Sequence, residues 1–560
     1  MGYTGKYLKY YGVSKGKMKV KYIVAFLLIL MFVQGFASTL QKSRTVDETK
    51  THIRDGYRYL TTGEWKGGID NPPLTATLAA IPLLFVKDKS TFNETFRRLN
   101  ADDYILEREP SFPRHLLILS RLIPLTFMII LGYLVFLWAR DLYGIKAGLF
   151  ALLLYSFSPN IISFGEFVTA DMAGALFAFA ALYAFWKYIR KPTWRSLIIA
   201  GIVVGLAQVS KLLSVFVIPA LIFYILLVYF LKEFDAVFFP KLKNKKSKKA
   251  FDLFLSFIVI MLLMLFVINA TYLFKGTLKP LKSYDVEKFR SSTFKTLHEN
   301  NLVNWIPLPL PEKYVMGHDL AQFGAKDEKR AYFFFGELAE GFKSYYILHI
   351  LIKTPIALFI LLILGFVYFR RINLTETYII FYIIFILVFL SFFSKLLIGY
   401  RHILSIYPLL FVLSSRTLKD GIPKNLVVML IIIISALWYL ISSVLIFPHY
   451  LAYFNEFIGG PKNGYKYTID SNLDWEQDLD LVKKYIKGRE NEFLIDPGCK
   501  PVTGKILVPA SSLQFQKWVC YQWLQQNFEP VDYIGYSWLV YDVKGTWQQT
   551  EQGYVFIKIP

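Results

Sequence analysis

The chain has 560 residues, 55% of them hydrophobic and 18% aromatic, with a mean hydropathy of +0.41, more apolar than a soluble core requires. Its formal charge of +22 is dispersed in short segments between apolar runs rather than gathered on one face. Composition thus excludes an ordinary soluble domain, and the charge pattern argues for membrane topology and against nucleic acid as a partner.

In chain order, the runs able to cross a bilayer lie at about 22–40, 115–138, 147–163, 171–189, 196–211, 212–231, 252–273, 346–369, 376–394, 402–414 and 425–447. They predict a polytopic all-α membrane protein of about eleven transmembrane helices. Lys6, Lys9, Lys15, Lys17, Lys19 and Lys21 precede the first run, and Arg140, Lys146, Arg190, Lys191 and Arg195 follow the second and fourth. KLKNKKSKK, Arg370 and Arg371, and Arg416, Lys419 and Lys424 fall on the same side under an eleven-span count. The N-terminus is therefore expected in the cytoplasm and the C-terminal domain outside a plasma membrane. A cleaved signal peptide over residues 1 to about 38 is the alternative for the first run, and it leaves the remaining topology unchanged.

Three outward segments are too long to be simple connections: roughly 41–114, 274–345 and 448–560. In the first, PPLTATLAAIPLLF is apolar but too short to cross and reads as an interfacial helix. In the second, Trp305, Pro307, Pro309 and Pro311 imply an extended, kinked segment near the headgroups. The third mixes strand signals (KILVPAS, DYIGYSWLVYDV, GYVFIKI) with the helical DWEQDLDLVKKYI, so residues 1–447 read as a membrane domain and 448–560 as a small α/β domain. Both cysteines, Cys499 and Cys520, lie in that domain, either as a disulfide or as two buried thiols. No cysteine or histidine spacing makes a structural zinc site, and a divalent metal is neither required nor excluded.

At the outer membrane boundary, acids stand at Asp47, Glu48, Glu166 and Asp171, and cations at Arg121, Lys211, Lys353 and Arg401, with His402 beside the last. An ionised Asp171 at the start of an apolar helix is costly unless partnered or facing a wet cavity, although it can also cap the helix. A lone lysine such as Lys211 can equally snorkel to headgroups. His52, one turn beyond Glu48, can ligate an ion or hydrogen-bond the carboxylate. Fixed cations that stabilise a phosphate leaving group, with a carboxylate that takes the proton of an acceptor hydroxyl or amine, suit sugar transfer from a lipid-linked phosphate. One base serves a single inverting displacement, and two adjacent acids cannot flank both faces of one sugar ring. No phosphate-cradling glycine loop for a soluble nucleotide sugar is present.

The strings VDETKTHIRDGYRYLTTGEW, NPPLTATLAAIPLL, SPNIISFGEFVTADM, FFFGELAEGFKSYYILHILIKTPIAL, GYRHILSIYPLL and YFNEFIGGPKNGYKYTIDSNLDWEQDL resemble, in this order, the glycosyltransferase family 39 type. These are the phospholipid carrier-dependent members of the protein O-mannosyltransferase superfamily. The resemblance implies a GT-C membrane fold, a polyprenyl-phosphate-linked hexose or pentose donor such as dolichyl phosphate mannose, and inversion at the anomeric carbon. It also implies an acidic first-loop base, carried here onto Asp47 with Glu48 beside it, and a second acidic position at Asp171. The acceptor is a glycan, lipid or protein. The chain departs from the pattern in two places: DNPPL stands where an acid, then His, then PPL is usual, so Asn71 cannot titrate, and DWEQDL replaces the commoner Asp-Trp-Gly-Gln-Asp run.

Two other classes are open to such a sequence. A multispan transporter calls for internal repeats and ionisable groups near the midplane, whereas these charges sit at one face. A noncatalytic membrane scaffold related to such enzymes would keep the motifs without turnover.

Overall fold

The computed structural model describes residues 15–66, 68, 70–86, 112–231, 246–515, 520–550 and 553–557. The lysines at 6 and 9 and most of KLKNKKSKK lie outside the described residues.

Among the described residues seven helices are long and apolar enough to cross a membrane: Lys19–Thr39, Arg114–Tyr143, Ala170–Arg190, Leu212–Leu231, Lys249–Thr271, Leu374–Phe393 and Leu426–Ile446. Two more of the expected runs are broken rather than straight. Ile145–Ser156 and Pro159–Gly165 meet at 62°, and Tyr345–Lys353 and Ile356–Tyr368 at 102°. Prolines explain both breaks, because Pro159 and Pro355 have no N–H to continue a helix and push the preceding residue out of it. Ser158 then caps the new helix by accepting from the Ile161 amide.

The remaining two runs differ from the expectation of full spans. Trp194–Gln208 is a short apolar helix. The run at 402–414 is a 3-10 turn, Tyr400–Ile406, then an α-helix, Tyr407–Ser414, then a second 3-10 turn, Ser415–Leu418. Residues 407–414 are all buried, so this passage is surrounded by protein. The larger rise of a 3-10 turn, about 2.0 Å per residue, lets a short run cover more depth.

Helix Ala170–Arg190 is the centre of the bundle, with 78% of its apolar stretch buried against 22% for Lys19–Thr39. Its small residues Ala173, Gly174, Ala175, Ala178 and Ala181 permit that close approach.

The first long segment between spans begins with a wide π-turn, Glu48–Ile53, and continues as helix Arg54–Thr62, which stops at Gly63, at φ +66°. Gly56 crosses the next helix, Leu74–Ala80, so closely that a Cβ there would lie 1.9 Å from the Ala76 carbonyl oxygen. That helix and its 3-10 extension, Ile81–Phe85, form over the run expected to be interfacial, and Phe85 is 80% exposed. The second long segment, 274–345, is more regular than its prolines suggest. It contains helices Ser292–Glu299 and Glu312–Gln322 and a hairpin of β1 (Tyr332–Phe334) and β2 (Glu337–Ala339).

The C-terminal domain has a four-stranded sheet of β3 (Phe493–Ile495), β4 (Gly504–Pro509), β5 (Asp532–Ile534) and β6 (Trp538–Val543), ordered β3-β4-β6-β5, with only β3 and β4 parallel. Strand alternation buries Ile506, Val508, Leu539 and Tyr541 on one face and Leu507, Trp538 and Val540 on the other, where helix Leu479–Ile486 covers them. β7 (Thr546–Thr550) and β8 (Gly553–Ile557) form a separate hairpin. Cys499 and Cys520 are joined as a disulfide.

The DWEQD run fastens this domain to the membrane mouth. Asp478 Oδ1 lies 2.7 Å from Lys42 Nζ, and its Oδ2 accepts from Ser537 Oγ at 2.7 Å. A Cβ at Gly535 would fall 2.4 Å from the Asp478 carboxyl, so this junction needs glycine. Burial would raise the Asp478 carboxyl, but the Lys42 ammonium and the hydrogen bond from His449 hold it down at about 2. Glu476, the departure from the usual glycine, adopts φ +67°, a conformation that glycine takes at no cost and glutamate does not.

Candidate active site

Asp47 and Glu48 open the π-turn, and a helical step of about 100° sends adjacent side chains in different directions. Glu48 turns inward. Its Oε2 lies 2.6 Å from Arg121 Nη2 and its Oε1 2.8 Å from Arg121 Nε, both side chains being 0% exposed. The Thr45 and Val168 amides donate to the same carboxylate at 2.9 Å. The remaining Arg121 donors reach the carbonyls of Thr39, Lys42 and Ser43 at 3.3, 3.2 and 2.6 Å. The pair is saturated and sealed, and the structure does not bring it to the cavity described next.

Asp47 turns outward, with its carbonyl accepting from Thr51 Oγ1 at 2.6 Å. Its Oδ2 is 3.1 Å from Arg401 Nη1, and the same nitrogen is 4.0 Å from Asp171 Oδ2, so one guanidinium stands between two acids from distant parts of the chain. Asp171 is the second residue of its helix, with its amide donating to Thr169, and its Oδ1 pairs with Lys211 Nζ at 2.5 Å. Lys211 Nζ also donates to the Arg401 carbonyl at 3.2 Å. The guanidinium lies 4.9 Å from the Trp475 ring centre, so the DWEQD run supplies the surface against which Arg401 rests. Gly174 makes room for the Lys211 stem: a Cβ there would come 2.9 Å from the Lys211 Cβ.

These side chains line a cavity of about 510 Å³. Asp47, Asp171, Lys211, Arg401, His402, His52 and Asn71 are brought together in it. Phe216, Phe389 and Leu390 form an apolar wall. His402 Nδ1 lies 3.4 Å from the Tyr346 hydroxyl. Burial holds His52 below the usual imidazole value against the pull of the Asp47 charge, so it is neutral near neutral pH.

Two further expected residues lie elsewhere. Lys353 Nζ donates to the Leu451 and Asn472 carbonyls at 2.7 and 2.6 Å and lies 4.1 Å from the Phe454 ring centre, inside the protein. Glu166 accepts from Ser38 Oγ at 2.7 Å, and burial pushes it up to about 8. Among the described residues no three His, Cys, Asp or Glu side chains gather as a metal site.

Sequence reasoning assigned no role to other residues of the cavity: Asp70, His318, Glu328 and Arg330. Asp70 was visible as the acid immediately before Asn71. His318 carries a weaker signal, being one of only seven histidines and lying in an outward segment.

Residues 118–237 match the model of the family described as dolichyl-phosphate-mannose-protein mannosyltransferase. A comparison with curated protein sequences yields no match. Among solved structures, ArnT from Cupriavidus metallidurans bound to undecaprenyl phosphate is 11% identical, with a TM-score of 0.45 over 94% of this chain and 98% of that one. The archaeal oligosaccharyltransferase AglB from Archaeoglobus fulgidus, in complex with an inhibitory peptide and a dolichol-phosphate, is 13% identical, with a TM-score of 0.47 over 76% of this chain and 56% of that one. The S. cerevisiae protein O-mannosyltransferase Pmt1-Pmt2 complex bound to the sugar donor is 19% identical, with a TM-score of 0.35 over 52% of this chain and 38% of that one. These scores are too low to carry function across. Over residues 118–237, the stretch that holds Asp171 and Lys211, this multi-pass membrane chain is similar to the protein mannosyltransferase family.

Proposed function

We propose that the chain transfers a hexose or pentose from a polyprenyl-phosphate donor to an acceptor hydroxyl or amine, with inversion and with Asp47 as general base. The observation that carries this is the placement of Asp47 and Asp171 on either side of the Arg401 guanidinium, in a cavity with one apolar wall. The apolar wall suits the isoprenoid next to the phosphate, and Arg401 with Lys211 suits the phosphate itself.

Arg401 has a second task. While it pairs with Asp47, that carboxylate is held against the guanidinium and not against an acceptor. A donor phosphate competes for the guanidinium, and Asp47 is then released toward the acceptor. The acceptor oxygen or nitrogen bonds to the anomeric carbon as Asp47 takes its proton. The bond from that carbon to the phosphate oxygen breaks on the opposite side, and its electron pair stays on the phosphate, next to Arg401 and Lys211. Asp171 anchors both cations. The N-terminus is assigned to the cytoplasm, and the cavity and the C-terminal domain fastened beside it to the outside, by the positive residues at the opposite ends of the spans.

The test uses the full chain in sealed proteoliposomes, with labelled polyprenyl-phosphate sugars and a membrane extract as acceptor source. Labelled product of inverted anomeric configuration is expected. Movement of label across the bilayer without any glycosylated product would instead favour a transporter.

A further inference from the structure

His318 is a polar side chain of the cavity that the proposed mechanism leaves unused. It lies on helix Glu312–Gln322 of the second outward segment and lines the cavity with Asp47, Asn71 and Lys211. His318 is half-buried, and among the described residues no group hydrogen-bonds to either of its ring nitrogens. Its aromatic neighbour is Tyr314, one helical turn back, met edge-on at 4.8 Å and 74°.

Tyr314 also fixes where His318 stands. Its hydroxyl donates to Gln208 Oε1 at 3.4 Å, and Gln208 Nε2 donates to the Ser214 carbonyl at 3.0 Å. Gln208 and Ser214 bracket Lys211, so the helix that carries His318 is tied to the loop that carries the phosphate-binding lysine.

Burial lowers the imidazole to about 4, which keeps it neutral across the physiological range, with one N–H to donate and one lone pair to accept. A neutral imidazole has no charge to attract a phosphate, and it is polar where an isoprenoid wants an apolar wall. A sugar hydroxyl, itself donor and acceptor, matches it in both roles. Such a partner satisfies in both roles an imidazole that no described residue hydrogen-bonds.

We propose that His318 hydrogen-bonds the glycosyl unit of the donor and helps to select it, an inference that rests on the cavity being the donor site. The sugar is bonded directly to the phosphate at Lys211 and Arg401, and the tether through Tyr314 and Gln208 holds His318 beside that position.

The test compares two ligands on the purified full chain: the polyprenyl-phosphate sugar that the wild type turns over fastest from a synthetic panel of hexoses and pentoses, and the same polyprenyl phosphate without sugar. His318→Phe keeps a ring against Tyr314 and removes both nitrogens. It is expected to raise the KM of the donor about tenfold or more. Inhibition by the bare polyprenyl phosphate should stay within about twofold, and His318→Gln should recover part of the loss. His318→Leu serves the same comparison should the aromatic variant fail to fold. An unchanged donor KM overturns the assignment, as does an equal weakening of both ligands, which would put His318 against the carrier. A wild type that turns over no member of the panel overturns sugar transfer itself, a result separate from either outcome.

Discussion

Two acid–arginine pairs begin one residue apart and end in opposite environments. Glu48 meets Arg121 where neither is exposed, and every donor of that arginine is used. Asp47 meets Arg401 at a cavity wall, through one nitrogen that Asp171 shares. A sealed pair holds a fold together, and its free energy is committed before any ligand arrives. An open pair with a shared arginine can be redistributed by an incoming anion, and chemistry needs that freedom. The same contrast separates Lys353, whose ammonium is closed in by two carbonyls, from Lys211, which lines the cavity.

The largest effect should come from breaking the sealed pair. Glu48→Gln leaves the Arg121 charge buried and unpaired, and it is expected to destabilise the chain by about 3–5 kcal/mol, read as loss of folded protein in a thermal-shift or detergent-solubilisation assay. An unaffected thermal transition would mean that the pair is not the brace described here.

Arg401→Lys sharpens the other side. Lysine keeps the charge but loses the flat contact with Trp475 and the geometry that spans two acids. The expected outcome is a drop in kcat/KM of about 10- to 100-fold, or about 1.4–2.7 kcal/mol, with the folded fraction unchanged. Gly174→Ala tests the same site from behind. Its Cβ would collide with the Lys211 stem, so a cost of about 1–2 kcal/mol and a several-fold rise in donor KM are expected.

The smallest effect concerns the residue beside Trp475. Glu476→Gly relieves a left-handed glutamate and should stabilise the chain by about 1 kcal/mol. Burial, followed by the nearby Asp474 charge, pushes Glu476 up to about 7. Its folded value lies above its unfolded one, so the glutamate is tolerated best at low pH, and stability is lost as pH rises from about 4.5 through about 7. The gain from the glycine variant should therefore grow across that window and level off above it, as melting curves at several pH values would reveal.

Much of this architecture is legible in the sequence. All eleven apolar runs are helical, but among the described residues seven are single helices able to cross and two more do so only as bent pairs, because hydrophobic length identifies a candidate span and not its course. The breaks at Pro159 and Pro355 were visible as prolines, but hydropathy averages across them. The passage at 402–414 departs from a straight helix because its neighbours, rather than lipid, surround it. The gathering of Asp47, Asp171, Lys211, Arg401 and His402 agrees with their expected place at the same boundary of the apolar runs. The division between Asp47 and Glu48 does not, since adjacent acids look alike until a turn directs them to different partners. His318 escaped for a related reason: it belongs to no motif, and only the fold carries it to the cavity wall.

The central claim is that Asp47, and not its neighbour, takes the acceptor's proton. Single-turnover transfer from a labelled polyprenyl-phosphate sugar prebound to Asp47→Asn tests it most directly. The account predicts retained donor binding and a transfer rate lower by about 10²–10⁴-fold. Transfer at the wild-type rate by that variant would contradict it.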